Sequence, residues 1–211
     1  MHDKRDFGTA KLAWEMFRKT GNISYYMLYK ELLMEGKRRK CAPEGAGDAL
    51  SEARSGKGAE MEFKTDALVL RATDYGENDK LLTLFTPSRG KLTAGIRGVR
   101  KPKAKLSFAA QPFCFAEYVL AEKGGRYVVT NAYLYDGFFS LRTDIVRYYA
   151  ACALSETAEK LLVEDGESEG MFVAAAEALK NLSLTEGDAA EILLSFALSA
   201  LRESGYMIDL D

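Results

Sequence analysis

The residues of this chain best suited to do chemistry are a run of cations between positions 89 and 105. The run, Arg-Gly-Lys-Leu-Thr-Ala-Gly-Ile-Arg-Gly-Val-Arg-Lys-Pro-Lys-Ala-Lys, holds seven lysines and arginines and no acid, whereas the whole 211-residue chain has a formal net charge of −2. A concentration of positive charge that the rest of a protein lacks is typical of a site for a polyanion. A solvated surface loop is the alternative interpretation of the same residues.

The element that must position these cations is a strand that runs into a loop. Residues Lys91–Val99 alternate as a strand does. Pro102 prevents the strand from continuing, because proline lacks a backbone donor and fixes φ. The sequence therefore predicts a strand followed by a cationic loop, with these side chains available to an anion: Arg89, Lys91, Arg97, Arg100, Lys101, Lys103 and Lys105.

Four further β-rich runs surround this strand, at Asp66–Thr73, Lys80–Thr86, Phe113–Glu122 and Arg126–Tyr135. Turn signals separate them, notably Pro87-Ser88-Arg89-Gly90 and Lys123-Gly124-Gly125. Five short strands within residues 61–137 predict a small closed barrel. The five-stranded barrel that most often binds oligonucleotides is the OB-fold, and we predict that fold for these residues.

Several other side chains of the predicted barrel suit a nucleic acid. The strands and their ends carry four more cations, at Arg71, Lys80, Lys123 and Arg126. Tyr75 and Phe108 fall in predicted loops, where an aromatic ring can stack on an unpaired base. No regular helix presents residues that could read base edges, so the sequence predicts binding without sequence specificity.

The regions on either side of the barrel differ from it in composition. Residues 1–35 carry apolar residues at helical spacing and predict a short helical extension. Residues 36–60, with five glycines and no aromatic residue, predict a flexible linker. Residues 138–211 hold five basic and fourteen acidic side chains, and their periodicity predicts a helical domain. Its three helices are expected at Leu141–Val163, from a cap at Ser168 to Leu182, and from a capping box at Thr185–Asp188 to Gly205.

Residues for catalysis are scarce. His2 is the only histidine, which excludes Ser-His and Cys-His arrangements, and no Cys-x-x-Cys or paired-histidine spacing offers a metal site. The acids at Glu164, Asp165, Glu167 and Glu169 fit a solvated loop better than a catalytic pair. The sequence thus predicts a binding protein without catalytic residues or cofactor. A protein-interaction adaptor that uses the barrel as a scaffold is the alternative, and an enzyme such as a nuclease ranks third.

The cysteines and the termini indicate a compartment. Cys41, Cys114 and Cys152 are odd in number and widely separated, which argues against a disulfide framework. No apolar run approaches the roughly 20 residues that cross a bilayer, and the N-terminus lacks the features of a signal peptide. A cytoplasmic protein with no membrane partner is expected.

Sequence blocks at characteristic spacing run from the first predicted strand to the end of the chain: Asp66–Arg71, Asp74–Thr86, Gly90–Leu92, Arg97–Lys103, Gln111–Phe113 and Gly205-Tyr206. In these blocks the chain resembles the bacterial RecO family of DNA repair and recombination mediators. The resemblance implies an OB-fold followed by a helical domain. It further implies binding of single- and double-stranded DNA, strand annealing, and a nucleoid-associated location. The implied partners are RecR, single-stranded-DNA-binding protein and, indirectly, RecA.

Two departures from the family pattern are apparent. Residues 1–60 precede the usual family start, and Trp14–Leu32 resemble a YqzL-like bacterial protein. The chain also stops at Asp211, before the zinc-binding cysteines of many relatives, so a truncated helical domain without zinc is expected. Within that domain the resemblance makes Arg142, Arg147 and Lys160 the candidates for docking the anionic tail of single-stranded-DNA-binding protein.

Overall fold

The computed structural model describes residues 62–164, 166–184 and 187–206, together with residues 12, 13, 16, 25, 28, 29 and 32. The chain divides into two compact units, residues 1–59 and 60–211. The described residues of the first unit are all helical, and Ala13 is buried. The predicted linker over residues 36–60 lies outside the described residues.

The second unit begins with a closed five-stranded barrel. Its strands are β1 (Glu62–Tyr75), β2 (Asp79–Thr86), β3 (Gly90–Ile96), β4 (Phe115–Lys123) and β5 (Arg126–Asp136). Their order around the barrel is β1-β2-β3-β5-β4, and β4 pairs with β1 to close it. The β3–β5 pair is parallel and the other pairs are antiparallel. The barrel predicted from the sequence is confirmed.

Two strand boundaries differ from the prediction by three residues or more. β3 ends at Ile96 rather than Val99, because Gly98 adopts a φ of +67° and turns the chain out of the sheet. β1 begins earlier, at Glu62, because its first half pairs with β4 and its second half pairs with β2, with Leu68 opposite both. Gly124 and Gly125 form the predicted two-residue hairpin with φ values of +58° and +71°, as a type I′ turn requires.

The barrel interior is filled by alternate residues of the strands, which follows from the period-2 geometry of a strand. The buried set includes Ala67, Val69, Leu82, Leu84, Leu92, Ala94, Ile96, Leu120 and Val129. A short 3₁₀ helix, Phe108–Ala110, adds Ala109 and Ala110 to this core. The buried Tyr118 hydroxyl donates to the Ala109 carbonyl oxygen at 2.7 Å. The far end of the cationic loop is therefore anchored inside the barrel.

Three helices follow: α1 (Ile145–Leu161), α2 (Glu169–Ser183) and α3 (Ala189–Glu203). The predicted helix from Leu141 is split, because the Asp144 backbone is extended and its carboxylate caps α1, accepting from the amides of Val146 and Arg147. The first part becomes a 3₁₀ turn, Phe139–Thr143.

The ends of the two later helices follow the sequence signals in part. Ser168 occupies the N-cap of α2, although its side chain makes no capping bond. Asp188 caps α3, while Thr185 and Glu186 of the predicted capping box lie outside the described residues. Beyond α3, Gly205 has a φ of +84°, which ends the helix as the sequence predicts.

The helices pack against one side of the barrel. Phe172 of α2 makes edge contacts with Phe85 and Phe115, with ring centroids 5.2 and 5.8 Å away. The backbone N–H of Lys91 donates to the carbonyl oxygen of Val163, and the backbone N–H of Ser168 donates to the carbonyl oxygen of Pro87. The contacts cover the end of β2 and the β2–β3 turn, so barrel and helices form a single compact unit.

None of the helices in the described part of the chain is long and apolar enough to cross a membrane.

Candidate nucleic-acid interface

The outer side of β1, β2 and β3 carries a continuous set of side chains that the described helices leave accessible. The strand register places Arg71 beside Thr83 and Thr83 beside Thr93. The next row places Thr73 beside Leu81 and Leu81 beside Gly95. All six residues are exposed or half-buried, while the residues between them fill the core. We call these six residues the barrel face.

The cationic loop lies at the end of the barrel face where β1 meets β2. The carboxylate of Asp79, at the start of β2, accepts the backbone N–H of Gly98 at 2.8 Å. The N–H of Arg100 donates to the carbonyl of Asn78 at 3.1 Å. Both bonds tie the loop to the β1–β2 turn. These hydrogen bonds therefore hold the cationic loop next to the barrel face.

A second set of contacts gathers cations around Asp74. The Arg100 guanidinium lies 3.3 Å from the Asp74 carboxylate and donates to the carbonyl of Gly76. The Lys80 ammonium lies 3.7 Å from the same carboxylate. Tyr75, next in sequence, is 64% exposed. Lys80 and Arg100, both selected from the sequence, therefore meet at one corner of the barrel, and the exposed Tyr75 ends the strand beside them.

The remaining cations of the loop point to solvent. Arg97, Lys101, Lys103 and Lys105 are all exposed, and Lys103 has a φ of +63°, which marks a tight turn at the tip. With Tyr75, Lys80 and Arg100 they make up what we call the loop cluster. An exposed group of several cations can neutralise the phosphates of a backbone that passes along the face.

Of the other predicted cations, Arg89 and Lys91 lie at the opposite end of β3, while Lys123 and Arg126 lie at the β4–β5 hairpin, level with the middle of β3. The Arg89 guanidinium donates to the Tyr127 hydroxyl at 3.2 Å and stacks 4.5 Å from the centroid of the Phe63 ring. Lys123 and Arg126 are register partners at the base of the hairpin, and the next residue, Tyr127, pairs with Ala94 of β3. We call Arg89, Lys91, Lys123 and Arg126 the hairpin cluster. The seven residues of β3, which span about 20 Å, lie between Arg89 and the loop cluster.

Two residues predicted from the sequence are placed differently. Phe108, expected in a loop, lies in the 3₁₀ helix instead, and its ring is half-buried against the barrel core, because Ala109 and Ala110 draw that helix inward. A stacking role for Phe108 stays a prediction. Arg71 lies on the barrel face, but its guanidinium forms an ion pair with Glu159 of α1 at 2.6 Å.

The three cations named for partner docking do not form one site. The Arg147 side chain is only 12% exposed and donates to the carbonyls of Leu182 and Gly187, so it holds the α2–α3 connection. Lys160 pairs with Glu156 about 20 Å further along α1. Arg142 stacks on Phe139, 5.0 Å from the ring centroid. A docking role for these residues stays a prediction.

The described cysteines do not form a metal site. Cys114 is buried in the barrel core, where desolvation raises the pKa of its thiol to about 11, and Cys152 lies on α1. Within the described ranges, no group of three or more histidine, cysteine or acidic side chains is placed to hold an ion.

The sequence alone missed the acids that organise this interface. Asp74 and Asp79 bracket the β1–β2 turn in Asp-Tyr-Gly-Glu-Asn-Asp, and each binds part of the cationic loop. Their positions at the two ends of a tight turn, close before a cationic run, were the available signal. The exposed threonines at 73, 83 and 93, one on each of three successive strands, were a second signal.

Comparison with known proteins identifies the family. Residues 61–138 match the family model "Recombination protein O N terminal", residues 142–211 match "Recombination protein O C terminal", and residues 11–44 match "YqzL-like protein". The chain is 33% identical over 149 residues to DNA repair protein RecO of Thermoanaerobacter sp. (strain X514), covering 71% of this chain and 60% of the relative.

Two further relatives agree. DNA repair protein RecO of Heliobacterium modesticaldum is 36% identical over 148 residues, 70% of this chain and 53% of the relative. The Clostridium novyi protein of the same name is 36% identical over 152 residues, 71% of this chain and 58% of the relative. The chain thus spans between about half and three-fifths of the length of these relatives. Through its barrel and its helices, the chain belongs to the RecO family.

Proposed function

We propose that this chain is a non-catalytic DNA repair and recombination mediator that binds DNA along the barrel face. The observation that carries the proposal is the loop cluster, whose exposed cations are fixed by Asp74 and Asp79 at one end of an open OB-type surface. The names of the relatives, DNA repair protein RecO, support the same role. We propose that this activity requires no cofactor.

The chemistry of the face favours recognition of the DNA backbone rather than its sequence. Phosphate contacts come from the loop cluster at one end of the face and from the hairpin cluster, whose Arg89 lies about 20 Å away at the start of β3. Between them lie threonine hydroxyls and the exposed Leu81, which cannot distinguish bases by paired hydrogen bonds. Tyr75 supplies a ring on which any base can stack. Single- and double-stranded DNA are both substrates in this proposal.

The same family relationship supports further partners. We infer that the chain anneals complementary strands and works with RecR and single-stranded-DNA-binding protein, and so indirectly with RecA. Each of these partners is proposed from the family and from the open, cationic character of the face. A nucleoid-associated location follows from DNA binding.

A protein-interaction adaptor is the second candidate, and one observation favours it. Ile145, Val146 and Tyr149 on the first turns of α1 are each more than 60% exposed. Grouped exposed apolar side chains are typical of protein interaction sites. This surface is compatible with the mediator role, because a mediator also has to hold partner proteins.

The deciding experiment is binding of the full chain to a fluorescent single-stranded oligonucleotide as a function of salt. If about five phosphates are neutralised, log K is expected to fall against log[salt] with a slope of roughly −3.5. Fluorescence anisotropy at several salt concentrations gives the slope. Absence of binding at low salt would remove the mediator proposal and leave the adaptor.

Annealing provides an independent test. Because the chain would hold a strand by its backbone, complementary oligonucleotides are expected to pair faster in its presence without ATP. The rate is measured by quenching of a fluorophore on one strand by a quencher on the other. Metal-dependent cleavage of either strand by the purified chain would contradict the non-catalytic assignment.

The anchoring of the loop can be tested at Asp79. Asp79→Ala removes the acceptor of the Gly98 N–H bond, and the freed loop is expected to bind single-stranded DNA about fivefold more weakly, which corresponds to one hydrogen bond of about 1 kcal/mol. Asp79→Asn is the matched control, because it removes the same charge but keeps an acceptor oxygen. Equal affinities of the two variants would show that anchoring has no role.

A further inference from the structure

One cation of the barrel face is already occupied by an acid from the helical part of the chain. Arg71 faces outward from β1, level with Thr83 and Thr93 in the middle of the face. The register of the β1–β2 pair shifts between Val69 and Arg71. Arg71 is also the first exposed residue after the buried middle of β1. Its position is where the backbone of a strand bound along the face would pass.

The partner of Arg71 comes from α1, 88 residues further along the chain. The Arg71 Nη2 atom lies 2.6 Å from Oε2 of Glu159, a short charge-assisted contact. The Glu159 side chain is 19% exposed, whereas that of Arg71 is 60% exposed. The carboxylate is therefore sheltered beneath the guanidinium, and the guanidinium remains accessible from the face.

A second carboxylate lies in the field of the same arginine. Glu156 stands one helical turn before Glu159, and its pKa is lowered first by Lys160 and to a smaller extent by Arg71. Lys160 pairs with Glu156 at 2.7 Å, which leaves Glu159 as the acid in direct contact with Arg71. The positive charge in the middle of the face is thus offset, while Arg97, Lys101, Lys103 and Lys105 at its loop end are exposed to solvent.

We propose that Glu159 is a built-in competitor for DNA phosphate at Arg71, through which the helical part of the chain lowers the affinity of the barrel face. The inference rests on the proposed function and concerns its regulation. A phosphate that approaches Arg71 meets a carboxylate already bound there, so it has to displace Glu159 or accept its repulsion. DNA binding and the contact between α1 and β1 therefore oppose each other.

The test is a double-mutant cycle in the full chain, read by the salt dependence of binding to a fluorescent oligothymidine. Glu159→Gln frees one cation for phosphate and is expected to steepen the slope of log K against log[salt] by about 0.7, which raises affinity about fivefold at 0.1 M salt. Glu177→Gln is the control, because it removes an equal charge from an exposed site on α2. In an Arg71→Ala background, Glu159→Gln is expected to change affinity no more than Glu177→Gln does.

The outcomes separate this inference from the proposed function. If wild-type binding is salt-dependent but Glu159→Gln equals Glu177→Gln, competition by Glu159 is refuted and the mediator proposal stands. If Glu159→Gln weakens binding, Glu159 positions Arg71 for phosphate and the competition is again refuted. If the wild type shows no salt-dependent binding, both proposals fail. Thermal melting of each variant confirms that the fold is retained.

Discussion

Replacing Arg97, Arg100, Lys101 and Lys103 together by alanine is expected to flatten the salt dependence of single-stranded DNA binding by about 2 to 3 units. Each neutralised phosphate contributes roughly 0.7 to the slope on single strands, and all four side chains are exposed beside the barrel face. With an unchanged affinity at 1 M salt, K at 0.1 M falls by a factor on the order of 10² to 10³. Anisotropy titrations over a salt series measure both quantities.

A matched set of cations elsewhere on the second unit provides the control for this variant. Lys64, Lys160 and Arg202 are exposed and each forms an ion pair away from the loop cluster. Their triple alanine variant removes three cations, against four in the loop variant, yet it is expected to leave the slope within about 0.7 of the wild type. A loop variant whose slope matched that of the wild type would move the DNA site elsewhere on the chain.

Phe172→Ala is expected to destabilise the second unit by about 3–5 kcal/mol. The ring is 1% exposed and packs edge-on against Phe85 of β2 and Phe115 of β4, so its removal opens a cavity between the helices and the barrel. For a unit of this size the loss corresponds to a fall in Tm of roughly 6–20 °C. Urea and thermal unfolding, followed by circular dichroism, measure the effect.

Phe139→Ala is the control for aromatic truncation, because Phe139 is 56% exposed and its ring contacts Arg142. A loss of no more than about 1 kcal/mol is expected for this variant. If Phe172→Ala instead produced two separate transitions, with a barrel transition like that of the wild type, the helices and the barrel would be energetically independent. The aromatic contacts of Phe172 would then not couple the unfolding of the helices to that of the barrel.

The parts of the fold that could be predicted from the sequence are those fixed by local rules. Gly124 and Gly125 specify a two-residue hairpin, since both positions need positive φ, and strands lie on either side of it where the sequence predicts them. The end of β3 was missed, because it depends on the bond between Gly98 and Asp79, 19 residues away. No local pattern reveals such a partner.

The candidate site shows the same division. Charge counting was sufficient to locate the loop cations, because their excess is visible in the sequence itself. The neutralisation of Arg71 could not be predicted, because Glu159 lies 88 residues away and reaches Arg71 only when α1 packs on β1. The partial burial of Phe108 could not be predicted for a related reason: whether a ring faces solvent or the core depends on the path of the chain, here set by the burial of Ala109 and Ala110.

The two-glycine hairpin between β4 and β5 has a consequence for how a strand would be held. A connection of two residues without side chains cannot fold over the barrel face, whereas the opposite side is raised by the much longer connection between β3 and β4. The barrel face is therefore bordered by a long cationic loop at one end, while the β4–β5 connection stays short. In the proposed complex, a strand held by its phosphates along the loop would stay uncovered on the hairpin side. A complementary strand could then reach its bases without the first strand being released.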